Sequence, residues 1–258
     1  MIDLHNHIFP AIDDGSRNID ETIELVKEAK NAGFNELIFT PHFKEGTYEV
    51  ENEEKIKIFN EICPIIKKEV PDIELFLGNE IMAVGSILDY LKSYKALTLN
   101  NMCYVLFEIP MYDNPIRFND IIFELKCQNL IPILAHPERY SYVQKNPEII
   151  YDWIEMGVLM QQNFGSIIGQ YGTKAQIIAE KMLETNSVHF LGSDVHRTNT
   201  VYKNIPLSII KIKNIIGQEA FYELTEKNPK CVLENKKIEL RNQEKINLSF
   251  IEKLKMKE

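Results

Sequence analysis

No apolar run in the 258 residues approaches the roughly 18 needed to cross a bilayer. No basic stretch followed by an apolar one opens the chain, because Met1 leads straight into Ile2-Asp3-Leu4-His5. A cytoplasmic protein with no direct membrane insertion is therefore expected. The four cysteines (Cys63, Cys103, Cys127, Cys231) are far apart and form no CxxC pair, which argues for reduced thiols. A Cys-x5-Arg phosphate loop is also missing. Cys63 precedes Pro64 in a predicted helix and Cys127 lies mid-helix, so a cysteine nucleophile is ruled out. No GxGxxG or Walker A loop follows a predicted strand, which weakens dinucleotide and nucleoside-triphosphate readings. Basic residues are the minority. Lys plus Arg is 29 against 38 Asp plus Glu, and a net charge of −9 is the wrong sign for gripping nucleic acid or an anionic membrane.

What the chain does have is length and alternation. At this length, with 45% hydrophobic residues, it can build a full core without crosslinks. β-Prone runs occupy Met1–Ile8, Glu36–Thr40, Ile73–Gly78, Cys103–Ile109, Ile131–Ala135, Val158–Gln162 and Val188–Gly192. Helix-compatible segments separate them. The clearest spans Asn18 to Ala32, with Asn18 as N-cap, Glu21 at the third helical position and Gly33 just past the end. Lys55–Lys68 and Phe118–Gln128 read similarly. Such alternation predicts an α/β fold with a parallel sheet, either a barrel or an open doubly wound sheet. Residues 205–258 turn Lys-, Ile- and Asn-rich and are read as helices that close the barrel. Without repeats or linkers, residues 1–258 are expected to form one domain.

Chemistry enters where histidines and acids fall. His5-Asn6-His7 places two imidazoles at i and i+2, on the same side of a strand. Asp13-Asp14-Gly15 follows in a loop. Thr40-Pro41-His42, Gly78-Asn79-Glu80, Phe107-Glu108, Ala135-His136-Pro137-Glu138-Arg139 and Gly192-Ser193-Asp194-Val195-His196 each end a predicted strand. Each alone has an ordinary explanation, such as a capped strand end or a satisfied core histidine. Together they put five histidines and several carboxylates on the face where a (β/α) barrel carries its active site. Carboxylates gathered in one cavity repel one another and resist desolvation unless cations neutralise them. Histidine and carboxylate ligands without thiolate point to Mn, Fe or Zn, and about nine of them exceed what one ion uses, so two or three divalent ions are implied. His189, inside the apolar run Val188-His189-Phe190-Leu191, is read as structural.

These motifs resemble the PHP (polymerase and histidinol phosphatase) superfamily. More narrowly, they resemble the bacterial metal-dependent protein-tyrosine phosphatases of capsule and exopolysaccharide loci, in order from residue 1 to about 196. The resemblance implies a distorted, TIM-like (β/α)7 barrel with a trinuclear site, usually manganese, at the C-terminal strand ends. It assigns one ion to His5, His7, Glu80 and Asp194, a second to Glu80, Glu108 and His136, and a third to Asp14, His42 and His196; Asp13 is the competitor of Asp14. It implies attack of a metal-bound hydroxide on phosphotyrosine of a protein, with a bacterial tyrosine kinase bearing a tyrosine-rich tail as partner. His136, Asp194 and Arg139 would be catalytic. The family arginine expected five positions after His196 is here Val201, which leaves Arg139 and Arg197, or Lys203, to bind the phosphate. The rivals are a histidinol-phosphate-type small-molecule phosphatase, a nuclease, and a non-enzymatic metal-binding interaction module.

Overall fold

Every strand among the described residues pairs in parallel, as short apolar runs joined through helices do. The computed structural model describes residues 1–112 and 117–256. In chain order its elements are β1 (Ile2–Asp3), α1 (Ile19–Asn31), β2 (Glu36–Phe39), β3 (His42–Phe43), α2 (Asn52–Glu69), β4 (Glu74–Leu77), β5 (Glu80–Met82) and α3 (Ile87–Lys92). There follow β6 (Tyr104–Glu108), α4 (Phe118–Cys127), β7 (Ile131–Ala135), α5 (Ser141–Lys145), α6 (Ile149–Glu155), β8 (Leu159–Asn163), α7 (Thr173–Glu184), β9 (Phe190–Gly192), α8 (Ile205–Tyr222), α9 (Asn228–Leu233) and α10 (Phe250–Lys255). One sheet has the order β1-β2-β4 and the other β3-β5-β6-β7-β8-β9.

Two expectations need correction. First, the seven predicted strands are nine, in two sheets, and no strand ladder joins those sheets into a closed barrel among the described residues. The second and third predicted strands each break near their ends and restart as β3 and β5. The first break falls at Pro41, which has no N–H to give a ladder. At the second, the Asn79 amide donates to the Pro41 carbonyl at 2.8 Å. The first predicted strand keeps only Ile2–Asp3, because side chains take over its pairing. Asn6 N–H donates to Thr40 Oγ1 at 2.9 Å, and its amide donates to the Ile38 carbonyl at 3.0 Å. Second, residues 205–258 are not helical throughout: residues 236–249 have no regular structure between α9 and α10.

Residue types explain the elements that position the site. In α1 the Asn18 side chain accepts from Glu21 N–H at 2.9 Å, but the Glu21 carboxylate turns to Arg17, so only half of a capping box forms. A larger apolar cluster packs helices on the sheets. A smaller one takes Ile2, Ile38, Leu106, Ile133, Leu159 and Phe190 from strands of both sheets and is joined by Val232 and Leu233 of α9. Past the strand ends, Asp194 N–H donates to the His5 carbonyl at 2.8 Å and His7 N–H to the Val195 carbonyl at 2.9 Å. These bonds draw the exits of β1 and β9 side by side. The Lys230–Glu36 pair (3.0 Å) sets α9 near the first residue of β2, at the end of the strands opposite the histidines.

Candidate metal centre and active site

Glu80, the first residue of β5, is fully buried and central. Its Oε1 lies 3.3 Å from His5 Nε2 and 3.1 Å from His136 Nε2, and its Oε2 lies 3.3 Å from His7 Nε2 and 3.0 Å from His42 Nδ1. Glu108, ending β6, stands 3.2 Å from His42 Nδ1. Asp194 Oδ1 approaches His5 Nε2 at 3.6 Å, His7 Nε2 at 3.5 Å and His196 Nδ1 at 3.6 Å. Asp14 Oδ1 sits 3.5–3.6 Å from the Nε2 atoms of His196 and His42. All nine expected ligand residues thus gather in one place. Among the described residues, three sets of their donor atoms, each lying within 4.8 Å of one another, could hold an ion: His7, Asp14, His42 and His196; His5, His7 and Glu80; His42, Glu80 and Glu108. His7 and His42 each belong to two of these sets, a sharing that the one-ion-per-histidine partition does not contain.

The electrostatics ask for positive charge. Burial opposes the charge of Glu80, yet the His5 and His42 rings around it hold its carboxyl well below the usual carboxylate range. Asp194 is held low in the same way, by His5 and Arg139. Burial resists protonation of His42, but Glu80 and Glu108 push its pKa up to about 12. For His7, burial and the adjacent His42 oppose protonation, yet hydrogen bonds to Asp13 and Glu80 raise it to about 9. His196, desolvated and stacked on His7 at 4.0 Å, is pushed down to about 4.

Divalent ions fit this donor set, as the outer faces of the rings show. His5 Nδ1 meets Gln161 Oε1 at 2.7 Å, and His7 Nδ1 meets Asp13 Oδ2 at 2.8 Å. Both partners are acceptors, so both Nδ1 atoms carry the proton and both Nε2 atoms present lone pairs inward. Those two Nε2 atoms face each other at 3.3 Å beside the Glu80 carboxylate. Lone pairs so opposed need a cation between them, a proton at least and a metal ion at best. The Asp13 side chain is buried and also accepts from Gly15 N–H and His42 N–H, so it orients candidate ligands while Asp14 faces the cluster. Gly15 itself is obligatory, because a Cβ there would collide with the His7 carbonyl.

Sequence reading missed Gln161 and Asn163 at the end of β8. Gln161 Nε2 donates to Asn163 Oδ1 at 3.0 Å, and Asn163 Nδ2 donates to Asp194 Oδ2 at 2.7 Å. A continuous amide chain therefore runs from His5 to Asp194. The available signal was three consecutive amides, Gln161-Gln162-Asn163, ending an apolar strand. His136 and Asp194 both sit at positive φ (37° and 53°), which costs roughly 1–3 kcal/mol each and persists where surrounding contacts enforce it. His189, as expected, is a framework residue: its Nδ1 accepts from Met160 N–H at 3.0 Å.

A cavity of about 220 Å3 adjoins the cluster, lined by Arg139, Tyr171, Asp194, His196, Arg197 and Val201 among others. Arg139 donates to Asp194 Oδ2 at 2.6 Å and lies over the Tyr171 ring, 4.4 Å from its centroid. Arg197 reaches the same cavity, and its Nη1 donates to the Gly15 and His196 carbonyls. Val201, at the missing arginine position, is buried. No described helix is long and apolar enough to cross a membrane.

Comparison with known proteins agrees across nearly the whole chain. The chain is 33% identical to CapC of Staphylococcus aureus over 92% of its length and 93% of that protein's. It is 31% identical to the tyrosine-protein phosphatase YwqE of Bacillus subtilis, with the same coverage. A solved structure from the pair YwqE of B. subtilis and CpsB of Streptococcus pneumoniae, metal-dependent tyrosine phosphatases, superposes with a TM-score of 0.90 at 29% identity, covering 96% of this chain and all of that one. With residues 1–234 matching its family model, the chain belongs to the CpsB/CapC family of capsular polysaccharide synthesis.

Proposed function

We propose that this chain is a metal-dependent phosphomonoester hydrolase that removes phosphate from phosphotyrosine on a protein, as the names of its relatives support. The observation that carries the reading is Glu80, buried with four imidazole nitrogens within 3.3 Å of its oxygens and next to an arginine-lined cavity. His5, His7, Glu80 and Asp194 would hold one ion, Glu80, Glu108 and His136 a second, and Asp14, His42 and His196 a third. Bound divalent ions would neutralise phosphate charge and acidify a water molecule. Manganese is our preferred metal, with iron or zinc as substitutes. We read the two sheets as arcs of one distorted barrel, on the strength of the inner cluster they share and the bonded exits of β1 and β9. A tyrosine kinase of a capsule locus is the proposed partner, in the cytoplasm.

The chain's own groups do the positioning. Asp194 Oδ2 anchors one Arg139 nitrogen and the guanidinium carbon lies over the Tyr171 ring, leaving the remaining donors to meet phosphate oxygens. Asn163 and Arg139 together occupy Asp194 Oδ2, which turns Oδ1 to the histidines. The test is metal content measured with turnover of p-nitrophenyl phosphate, a phosphotyrosine peptide and histidinol phosphate. Two or three ions per chain, activity lost to EDTA and preference for the peptide are expected. At most one ion at full activity refutes the trinuclear site, and preference for histidinol phosphate refutes the protein substrate.

A further inference from the structure

The arginine-lined cavity does not stop at Tyr171. A second hollow of about 430 Å3 shares Tyr171 with it and is lined also by Gln144, Lys174 and Lys255. A third, about 720 Å3, shares Gln144 and Lys174 with the second and runs between α5 and the C-terminal segment that carries α10. Sharing these walls, the three hollows lie in a row leading away from the candidate centre, an open surface groove.

Its charge is opposite to that of the whole chain. Lys145, Lys174, Lys253 and Lys255 line its second and third hollows against a single acid, Glu148, although the net charge of the protein is −9. Nearby Lys181 is paired with Glu184 and Glu252, whereas these four lysines have no ion pair among the described residues. Phe250 and Leu254 add an exposed apolar wall, 77% and 48% accessible. Unpaired cations beside apolar surface, next to the arginine-lined cavity, match one occupant best: a polypeptide bearing carboxylates.

We propose that this groove binds the acidic stretch of chain flanking the substrate's phosphotyrosine, an inference that rests on the phosphatase reading above. The probes are two fluorescein-labelled peptides with a central non-hydrolysable phosphonate analogue of phosphotyrosine, one flanked by glutamates and one by serines. By anisotropy at low salt, the glutamate peptide binds about tenfold more tightly, and the difference shrinks as salt screens it. Lys145→Glu/Lys174→Glu/Lys253→Glu abolishes the difference while p-nitrophenyl phosphate turnover stays at the parent level. Should that variant misfold, Lys145→Glu/Lys253→Glu, which changes only exposed residues, replaces it. Equal binding of the two peptides, or a preference that survives charge reversal, overturns the proposal. So does lysine-dependent binding to phosphatidylserine vesicles without peptide discrimination, which would reassign the groove to an anionic surface. If the metal-loaded parent fails to hydrolyse p-nitrophenyl phosphate, the phosphatase reading falls, and the two-peptide comparison still decides the groove.

Discussion

Replacing Gln161 by Leu tests the amide chain behind the centre. The Gln161 carbonyl oxygen is the acceptor for His5 Nδ1 at 2.7 Å, and its amide nitrogen is the donor to Asn163 at 3.0 Å. Leucine fills nearly the same volume but supplies neither, leaving a buried imidazole N–H without a partner, a loss of about 1–3 kcal/mol. It also frees His5 to adopt the wrong tautomer, with its lone pair aimed away from Glu80. Losing such an outer partner typically weakens metal affinity or activity by about 10–100-fold, equivalent to about 1.4–2.7 kcal/mol. The assay is chelator competition on the purified protein, together with kcat/KM for p-nitrophenyl phosphate in excess metal. Gln162→Leu is the control, since both polar atoms of that buried neighbour lack a hydrogen-bond partner among the described residues, and it should be neutral or stabilising. If Gln161→Leu stays within about threefold of the parent, or Gln162→Leu does equal damage, the tautomer argument is wrong.

His136→Ala and Asp194→Ala should each abolish turnover while circular dichroism shows the fold retained, and near-parent rates in both would refute the site. Arg139→Ala should lower kcat/KM by roughly 100-fold, about 2.7 kcal/mol, with Arg139→Lys recovering only part. Arg197→Ala should matter less, because its Nη1 is tied to the Gly15 and His196 carbonyls whereas that of Arg139 is tied to Asp194 of the cluster; a larger loss there would move the clamp to residue 197. For the metal-free protein, the raised pKa of His7 (about 9, from 6.5) gives a stabilisation that is complete below 6.5 and lost as pH rises through 9. Its Tm should therefore fall between pH 7 and pH 10, and metal binding at pH 7 should release protons, read by calorimetry in buffers of different ionisation enthalpy. No proton release would contradict the raised histidines. Iodoacetamide should leave activity intact; complete inactivation prevented by phosphate would restore a cysteine mechanism.

Much of the centre was legible in the chain because strand ends are local features. Short apolar runs closing in His42, Glu80, Glu108, His136 and Asp194 announce themselves by composition, and parallel pairing then carries those ends to one face. Helix α1 was equally plain, since its apolar spacing and Asn18 cap are written within one segment. Other features depend on residues far apart in sequence. The breaks that turn seven strands into nine come from Asn6, Thr40, Pro41 and Asn79 trading hydrogen bonds between segments. Which of Asp13 and Asp14 faces the cluster depends on the backbone of Gly15 and His42 and on the His7 ring, all of which hold the Asp13 carboxylate. Gln161 joins His5 across 156 residues, and Gly192 is a glycine because a Cβ there would come within 2.7 Å of the Gln161 amide. Composition and spacing determined which chemistry the chain could carry. Which nitrogen of each histidine faces inward, and which carboxylate turns to the cluster, only tertiary structure decided, because a hydrogen-bond partner is chosen by position in space and leaves no period in the sequence.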